Sequence, residues 1–446
     1  MSLQGAISVT RFGLGARPDE INTASRDPEH WLLSQLVATD TFPDQALPSS
    51  RERLSEAMEY TRSVRTRNAD EDATRTYRRR ARQANVAEVT ARMTFATVTE
   101  SPFHERLVRF WSNHFTVAAN SAQTRALAAP YEREAIRPHI LGSFAQLAER
   151  AIFHAGMLVY LNNWQSIGPN SRAGQRRGRG LNENLAREIL ELHTVTPAAG
   201  YSQADVTAFA KALTGWTVGN HRIQPDGAGT AVFSDRLHES GRHSVLGRLY
   251  SDVGADQAKA IVQDLCQSPH TAQNIASKLA RHFVSDTPPA SLVEKLRDDF
   301  LETGGDLTSL YSVLVEAEEA WLPTVMKFKT PDELIVSTGR LIGLQQALVG
   351  DARDLFESFA QQPFTAPSPA GWPDENEAWN GPDAIMKRVE WANRLADRNS
   401  TLDGRILLEQ GVGARVSSKT LQAVARAENP TQATAIALLS PEFQMR

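Results

Sequence analysis

The stretch Asn182-Glu183-Asn184-Leu185-Ala186-Arg187-Glu188-Ile189-Leu190-Glu191-Leu192-His193-Thr194 decides how this chain is read. At about 100° per residue, Leu181, Leu185, Ile189 and Leu192 form one narrow apolar stripe, which predicts a helix with one face in a core. Glu188 falls at the edge of that stripe, Asn184 and Glu191 just beyond it on the same flank, and Glu183 and Arg187 on the far side. A carboxylate at the rim of a core-facing stripe is partly desolvated, which raises its pKa unless a partner holds it charged. Glu188 therefore calls for a partner.

Residues 101–118 (SPFHERLVRFWSNHFTVA) supply the candidate. Ser101 suits an N-cap, Pro102 the first helical position and Glu105 the positive helix end. Phe103, Leu107, Phe110, Trp111 and Ala118 make the buried face, with His114 near its middle. An imidazole there also needs a hydrogen-bond partner. A His114–Glu188 pair would satisfy both helices, as a structural lock between core helices or as a catalytic or metal-binding pair. His193 lies about 140° around the helix from Glu188, so the two do not share a face. No H-E-x-x-H motif occurs, and His193 near a helix C-terminus suits the dipole.

Composition narrows the function classes. The 446 residues are 41% hydrophobic and 22% charged, ordinary for a globular chain with a sizeable core. A net charge of −4 gives no general attraction for nucleic acid. The single cysteine, Cys266, rules out an intrachain disulfide and any Cys-based zinc or iron–sulfur site. The N-terminus lacks a basic region followed by an apolar run, and no window of about 18 apolar residues exists. The expectation is a chain without a membrane span, cytoplasmic by default.

Outward from the two helices the chain is helical nearly throughout. Asp27 and Pro28 mark a short early helix, and Gly13-x-Gly15 reads as a turn, since the third glycine of a dinucleotide fingerprint is missing. Residues 51–100 carry the arginines Arg75, Arg78, Arg79, Arg80 and Arg82, read as a solvated face paired with acids such as Glu71 and Asp72, or else as an anion- or polymer-binding face. The loop 164–181 holds Arg172, Arg176, Arg177 and Arg179: a flexible basic loop, or an anion site beside a helix N-terminus. Ser202 caps a helix whose apolar face includes Val206, Phe209 and Trp216. Residues 217–250 are the least helical, with His221, His238 and His243 among glycines. Gly304-Gly305 stops a later helix, and the Pro/Gly/Trp segment 362–382 is too rich in breakers for one. Trp372 and Trp379 in it would cover a cleft or pack as staples.

Period-2 alternation is scarce, so the fold class is mainly α, a multi-helix globular protein with long loops at about 164–181, 217–250 and 362–382. It reads as one unit over 1–446. Possible sub-units are an N-terminal helical half 1–220, an irregular insertion 221–254 and a C-terminal helical half 255–446.

RFGLGARPDE near the start, FWSNHF at 110–115, NENLAREILELHT at 182–194, YSQADVTAFAKALTGW at 201–216, HESGRHSVLG at 238–247, KFKTPDELIVSTGRLIG at 327–343 and PSPAGWPDENEAW at 367–379 together resemble the bacterial family catalogued as domain of unknown function 1800. The motifs stand in the family's order and cover nearly the whole chain. His114, Glu183, Glu188, Glu191 and His238 match positions recurring in those motifs. At 243 the family usually has Lys where this chain has His, and at 193 it alternates between His and an aromatic residue. The resemblance implies a mainly helical fold and carries no established activity. Members are often encoded beside another family similar to the alkaline phosphatase and sulfatase superfamily, often with an export signal, which implies a partnership.

Two expectations follow. In the first, the chain is an enzyme. Glu188, His114 and His238 are its acid/base groups, Arg187, Asn184, Trp372 and Trp216 bind substrate, and His114, Glu188 and Glu191 hold a divalent metal if there is one. Its reaction would be hydrolysis of a sugar-like or anionic substrate. In the second, the chain is an accessory protein for the phosphatase/sulfatase-like partner or an anionic polymer. It would then show a closed polar network around Glu188 and an exposed apolar or basic patch elsewhere.

Overall fold

The computed structural model describes residues 1–37, 41–65, 71–177, 180–220, 223–324, 326–348 and 352–446. His221, Arg179 and the side chains of Arg176 and Arg177 lie outside the described residues. Helices of eight or more residues run as α1 Ser50–Arg65, α2 Glu71–Val98, α3 Pro102–His114, α4 Ala122–Tyr131, α5 Phe144–Ile152, α6 Gln203–Leu213, α7 Ala255–Cys266, α8 Pro269–Phe283, α9 Ala290–Glu302, α10 Leu307–Glu316, α11 Pro331–Ile342, α12 Pro382–Arg398, α13 Gly404–Gly411, α14 Ser418–Ala425 and α15 Pro430–Leu439. The mainly α expectation holds.

Local chemistry sets the helix ends. Ser202 and Asp205 close a capping box on α6, as Thr330 and Glu333 do on α11. Asp27 accepts from the His30 amide. Pro102, Pro269, Pro331 and Pro382 sit in first turns, where the missing N–H costs nothing. Ser101 makes no side-chain cap bond, and the Gln35 side-chain oxygen accepts from the Phe103 amide at 2.8 Å in its place. After α9, Gly304 and Gly305 at φ 67° and 83° turn the chain.

The 217–250 region is not wholly a loop. It contributes to two antiparallel pairs of three-residue strands: β1 Trp216–Val218 with β2 Ala231–Phe233, and β3 His243–Val245 with β4 Arg248–Tyr250. Three residues are too few for alternation to register in a sequence. The 164–181 loop is entered by a short helical turn at Asn163–Gln165 and contains another at Gly174–Arg177. Segment 362–382 stays irregular but for one 3₁₀ turn at Asn376–Ala378.

Among the described residues, two apolar clusters are much larger than the rest. The larger draws on residues 7–320, with Trp111, Phe115, Phe144, Leu190, Leu279 and Tyr311 fully buried. The smaller joins α11–α15 to Leu14, Met93 and Ala96. Residues 255–320 belong to the larger core, because α7–α10 pack on the N-terminal helices. Buried charge joins the cores. Arg340 on α11 holds Glu20 at 2.8 Å and the Gly15 carbonyl at 2.7 Å. Gly15 lies at φ 96°, where a Cβ would stand 2.5 Å from the Ser337 Cβ, so the turn expected at Gly13-x-Gly15 is the point where the cores touch. Arg106 on α3 pairs with Glu333 on α11. A cleft of about 550 Å³ opens beside this seam. Its walls are α3, α8 and the start of α11, and segment 362–375 lies over it.

Candidate functional site

The cleft is built from two helices whose polar residues recur at helical spacing. On α8 the buried face is Ile275, Ala276, Leu279, Ala280 and Phe283. Asn274, Lys278 and His282, four residues apart, stand in a row along its edge. On α3, Arg106, Arg109, Asn113 and His114 point into the same space beside Phe110.

His114 is 6% exposed and its hydrogen bonds fix its tautomer. Nε2 lies 3.1 Å from the His193 carbonyl, which can only accept, so the proton is on Nε2. Nδ1 therefore accepts, and Lys278 Nζ donates to it at 3.2 Å. Lys278 also donates to the Leu192 carbonyl at 3.0 Å, and Asn274 Nδ2 to the Thr194 carbonyl at 2.8 Å. Those carbonyls end the 182–194 helix, which begins as Asn184–Glu188 and closes in a π-turn, Ile189–His193. The last carbonyls of a helix have no partner within it, and α8 supplies one. Burial, then the Lys278 charge, keeps the His114 imidazole well below its ordinary pKa and hence neutral. Burial, then the Arg281 guanidinium, brings the Lys278 ammonium down to about 8.

His282 anchors the other end. Its Nδ1 lies 3.1 Å from both carboxylate oxygens of Asp374, and its buried Nε2 has no partner among the described residues. Burial brings His282 down to about 4 against the pull of Asp374. Burial opposes ionisation of Asp374, and His282, Lys327 and Arg446 override it, holding the acid at about 2. At neutral pH the pair is thus a neutral imidazole donating to a carboxylate. Arg446 also reaches Glu333 at 2.8 Å and the His282 carbonyl at 2.5 Å. The overlying segment is tied to α3 by one side chain. Asn113 Oδ1 accepts from the Trp372 amide at 2.7 Å, and Asn113 Nδ2 donates to the Trp372 carbonyl at 3.0 Å. Gly371 allows that approach, since its Cβ would fall 2.5 Å from the Asn113 carbonyl oxygen.

Charge in the cleft is nearly all matched. Arg92, Arg106, Arg109 and Arg281 each face a carboxylate: Glu132 and Asp332, Glu333, Asp332 and Glu105, and Glu375. Lys278 has none among the described residues.

The residues singled out from sequence divide. His114 and Trp372 line this cleft, whereas Glu188, Glu191, Asn184, Arg187, His238 and Trp216 do not. The expected His114–Glu188 pair does not form, because His114 meets the end of the 182–194 helix and not its flank. Glu188 is half-buried with no hydrogen bond or ion pair among the described residues, and burial, then Glu191, raises its pKa. Glu191 and Asn184 are exposed, and Arg187 is held by Gln203 at 2.9 Å. The set His114, Glu188 and Glu191 does not converge, and among the described residues no group of three His, Cys, Asp or Glu side chains is placed to hold a metal. The π-turn advances by less than 100° per residue, which brings Leu190 and His193 inward and leaves Leu192 only half-buried. The His193 ring is fully buried beside Phe115, and neither nitrogen has a partner among the described residues.

His238 belongs to a separate knot. Its Nδ1 donates to the Thr214 carbonyl at 2.8 Å, and Nε2 stands 3.5 Å from Asp252. Glu239 accepts from the Asn170 amide and side chain at 2.7 and 2.6 Å, which fastens the 164–181 loop. Trp216 packs on Phe153 and donates to the Ala255 carbonyl. Burial raises the Cys266 thiol, as its apolar surroundings foretold. Arg75, Arg78, Arg79, Arg80 and Arg82 are exposed, with Arg75 3.7 Å from Asp72, the solvated face expected. Sequence reading missed Lys278, His282 and Asp374; the four-residue spacing of Asn274, Lys278 and His282 is the signal that would have found two of them.

No curated protein and no solved structure matches the chain. A family model matches residues 7–445, and its description is "Protein of unknown function (DUF1800)". A match over nearly the whole chain agrees with the motif order, and the chain belongs to this DUF1800 family.

Proposed function

We propose that the chain is an enzyme that binds a small anionic substrate in the cleft between α3 and α8 and moves a proton there. The observation that carries this reading is Lys278. It is the one lining cation that faces no carboxylate among the described residues, in a cleft whose arginines are all paired. A poorly solvated ammonium without a counter-charge is costly, and an anionic ligand removes that cost. An ammonium has three donors; two go to Leu192 and His114, and the third is free for such a ligand. His282, oriented by Asp374, is a neutral imidazole in the cleft wall, and its enclosed, unpartnered Nε2 would serve as proton acceptor for a substrate that reaches it. Activation of water for hydrolysis and abstraction of a proton beside a carbonyl both require such a group.

The test is thermal unfolding in phosphate, sulfate, acetate and pyruvate against sodium chloride at equal ionic strength. One of the anions should raise the midpoint of the wild type saturably, and Lys278→Met should abolish the rise. If no anion exceeds the chloride control, the reading fails.

The accessory role has its own observation. On α2 an exposed apolar groove runs along Val86, Phe95 and Val98 beside Arg79 and Arg82, with Val86 58% and Val98 57% exposed. A phosphatase/sulfatase-like partner retained by the wild type and lost on Val86→Asp would support a docking role for this face.

A further inference from the structure

Lysine is scarce here. The chain has eight lysines among 48 lysines and arginines. Where the cleft needs lasting positive charge it uses arginine, which stays protonated and grips carboxylates in bidentate fashion. An amine at Lys278 is thus the exception, and its surroundings differ from those of the arginines. Its two partners are neutral, a main-chain carbonyl and an imidazole nitrogen that carries a lone pair. The adjoining Arg281 is a like charge. Desolvation and a neighbouring cation are the two conditions that free a lysine amine to act as a nucleophile.

We propose that Lys278 captures carbonyl compounds, forming a protonated imine with the aldehyde or 2-oxo group of a substrate held in the cleft; this rests on the cleft being a substrate site. The amine lone pair forms the new C–N bond as the carbonyl π pair moves to oxygen. Two protons of the original ammonium follow to that oxygen and it leaves as water, so ammonium plus carbonyl gives iminium plus water with charge unchanged. His114 Nδ1, already holding one of those N–H groups, is the relay between nitrogen and oxygen. Its Nε2–H stays on the His193 carbonyl, which keeps the lone pair aimed at Lys278. The iminium retains a single N–H, and His114 Nδ1 remains to accept it.

The experiment is reductive trapping of the full chain with sodium borohydride at pH 8, using pyruvate and, separately, glycolaldehyde, followed by intact mass and peptide mapping. The expected result is one adduct per chain on Lys278, forming on the order of tenfold faster than on the exposed Lys295 and Lys419. Lys278→Arg keeps the positive charge but cannot form an imine. It should therefore lose the trapping. Adducts spread over the exposed lysines, with none favoured at Lys278, overturn the proposal and leave Lys278 as a charge that caps the 182–194 helix. Trapping by glycolaldehyde but not pyruvate upholds imine formation and instead overturns the anionic reading of the cleft.

Discussion

The 182–194 helix and α8 meet at one junction and bring unlike things to it. The 182–194 helix is crowded with amides, carboxylates and a histidine, yet what it gives the cleft is main chain: the carbonyls of Leu192 and His193. Helix α8 has the pattern of an ordinary amphipathic helix, yet Lys278 and His282 line the cleft from it, beside Asn274. Here the dense run of reactive side chains lies outside the cleft, and the sparse row at four-residue spacing borders it.

Four substitutions test that contrast. The largest effect should come from Asp374→Ala, which leaves His282, Lys327 and Arg446 without their shared carboxylate. A loss of about 3–5 kcal/mol is expected in urea unfolding; a loss near zero would mean the α8 end is no better anchored than the Glu188 flank. Next is the pH dependence at Lys278. Its folded pKa of about 8 lies below the ordinary lysine value of 10.5, so the folded chain binds fewer protons between those values. Stability conferred through this group therefore rises with pH across that window, by about 3 kcal/mol at most. The difference in unfolding free energy between wild type and Lys278→Met, taken at pH 7.5 and pH 10, should move in favour of the wild type. A flat difference would place the ammonium in solvent.

A smaller effect is expected at His193. Its ring is enclosed, both nitrogens lack partners among the described residues, and burial, then Lys278, lowers it to about 3. His193→Phe removes two unsatisfied polar atoms and keeps the carbonyl that His114 uses, so stability should rise by about 1 kcal/mol. The wild type should also lose stability as pH falls from 6.5 toward 3, where the unfolded chain binds the extra proton, and the variant should lack that share of the loss. A destabilised variant would restore a role to the ring. The smallest effect belongs to Glu188→Gln: within about 0.5 kcal/mol in stability, with the anion-induced thermal shift unchanged. Loss of that shift would return the flank of the 182–194 helix to the site.

The helical fold was legible because its apolar spacing is regular over ten residues or more, long enough for periodicity to speak. The strands at 216–218 and 243–245 were not, at three residues each. His114 was legible as a polar group in a buried face. Its partner was not, because a wheel tells which face is buried and not which neighbour meets it. A carbonyl has no residue type, so nothing in the letters Leu192 and His193 announces what they contribute. Asp374 lies 92 positions from His282 in a segment recognisable only as a breaker-rich loop.

The π-turn at Ile189–His193 sets a design constraint of its own kind. Ile189 and Leu190 are held to apolar residues by the core, the exposed Glu191 is free to vary, and the number of residues cannot change. One added residue would rotate the terminal carbonyls by about a quarter-turn and leave Lys278 and His114 without acceptors. Tolerance to exchange at Glu191 combined with intolerance to insertion anywhere in 189–194 is a fingerprint that deep mutational libraries containing single-codon insertions would read directly.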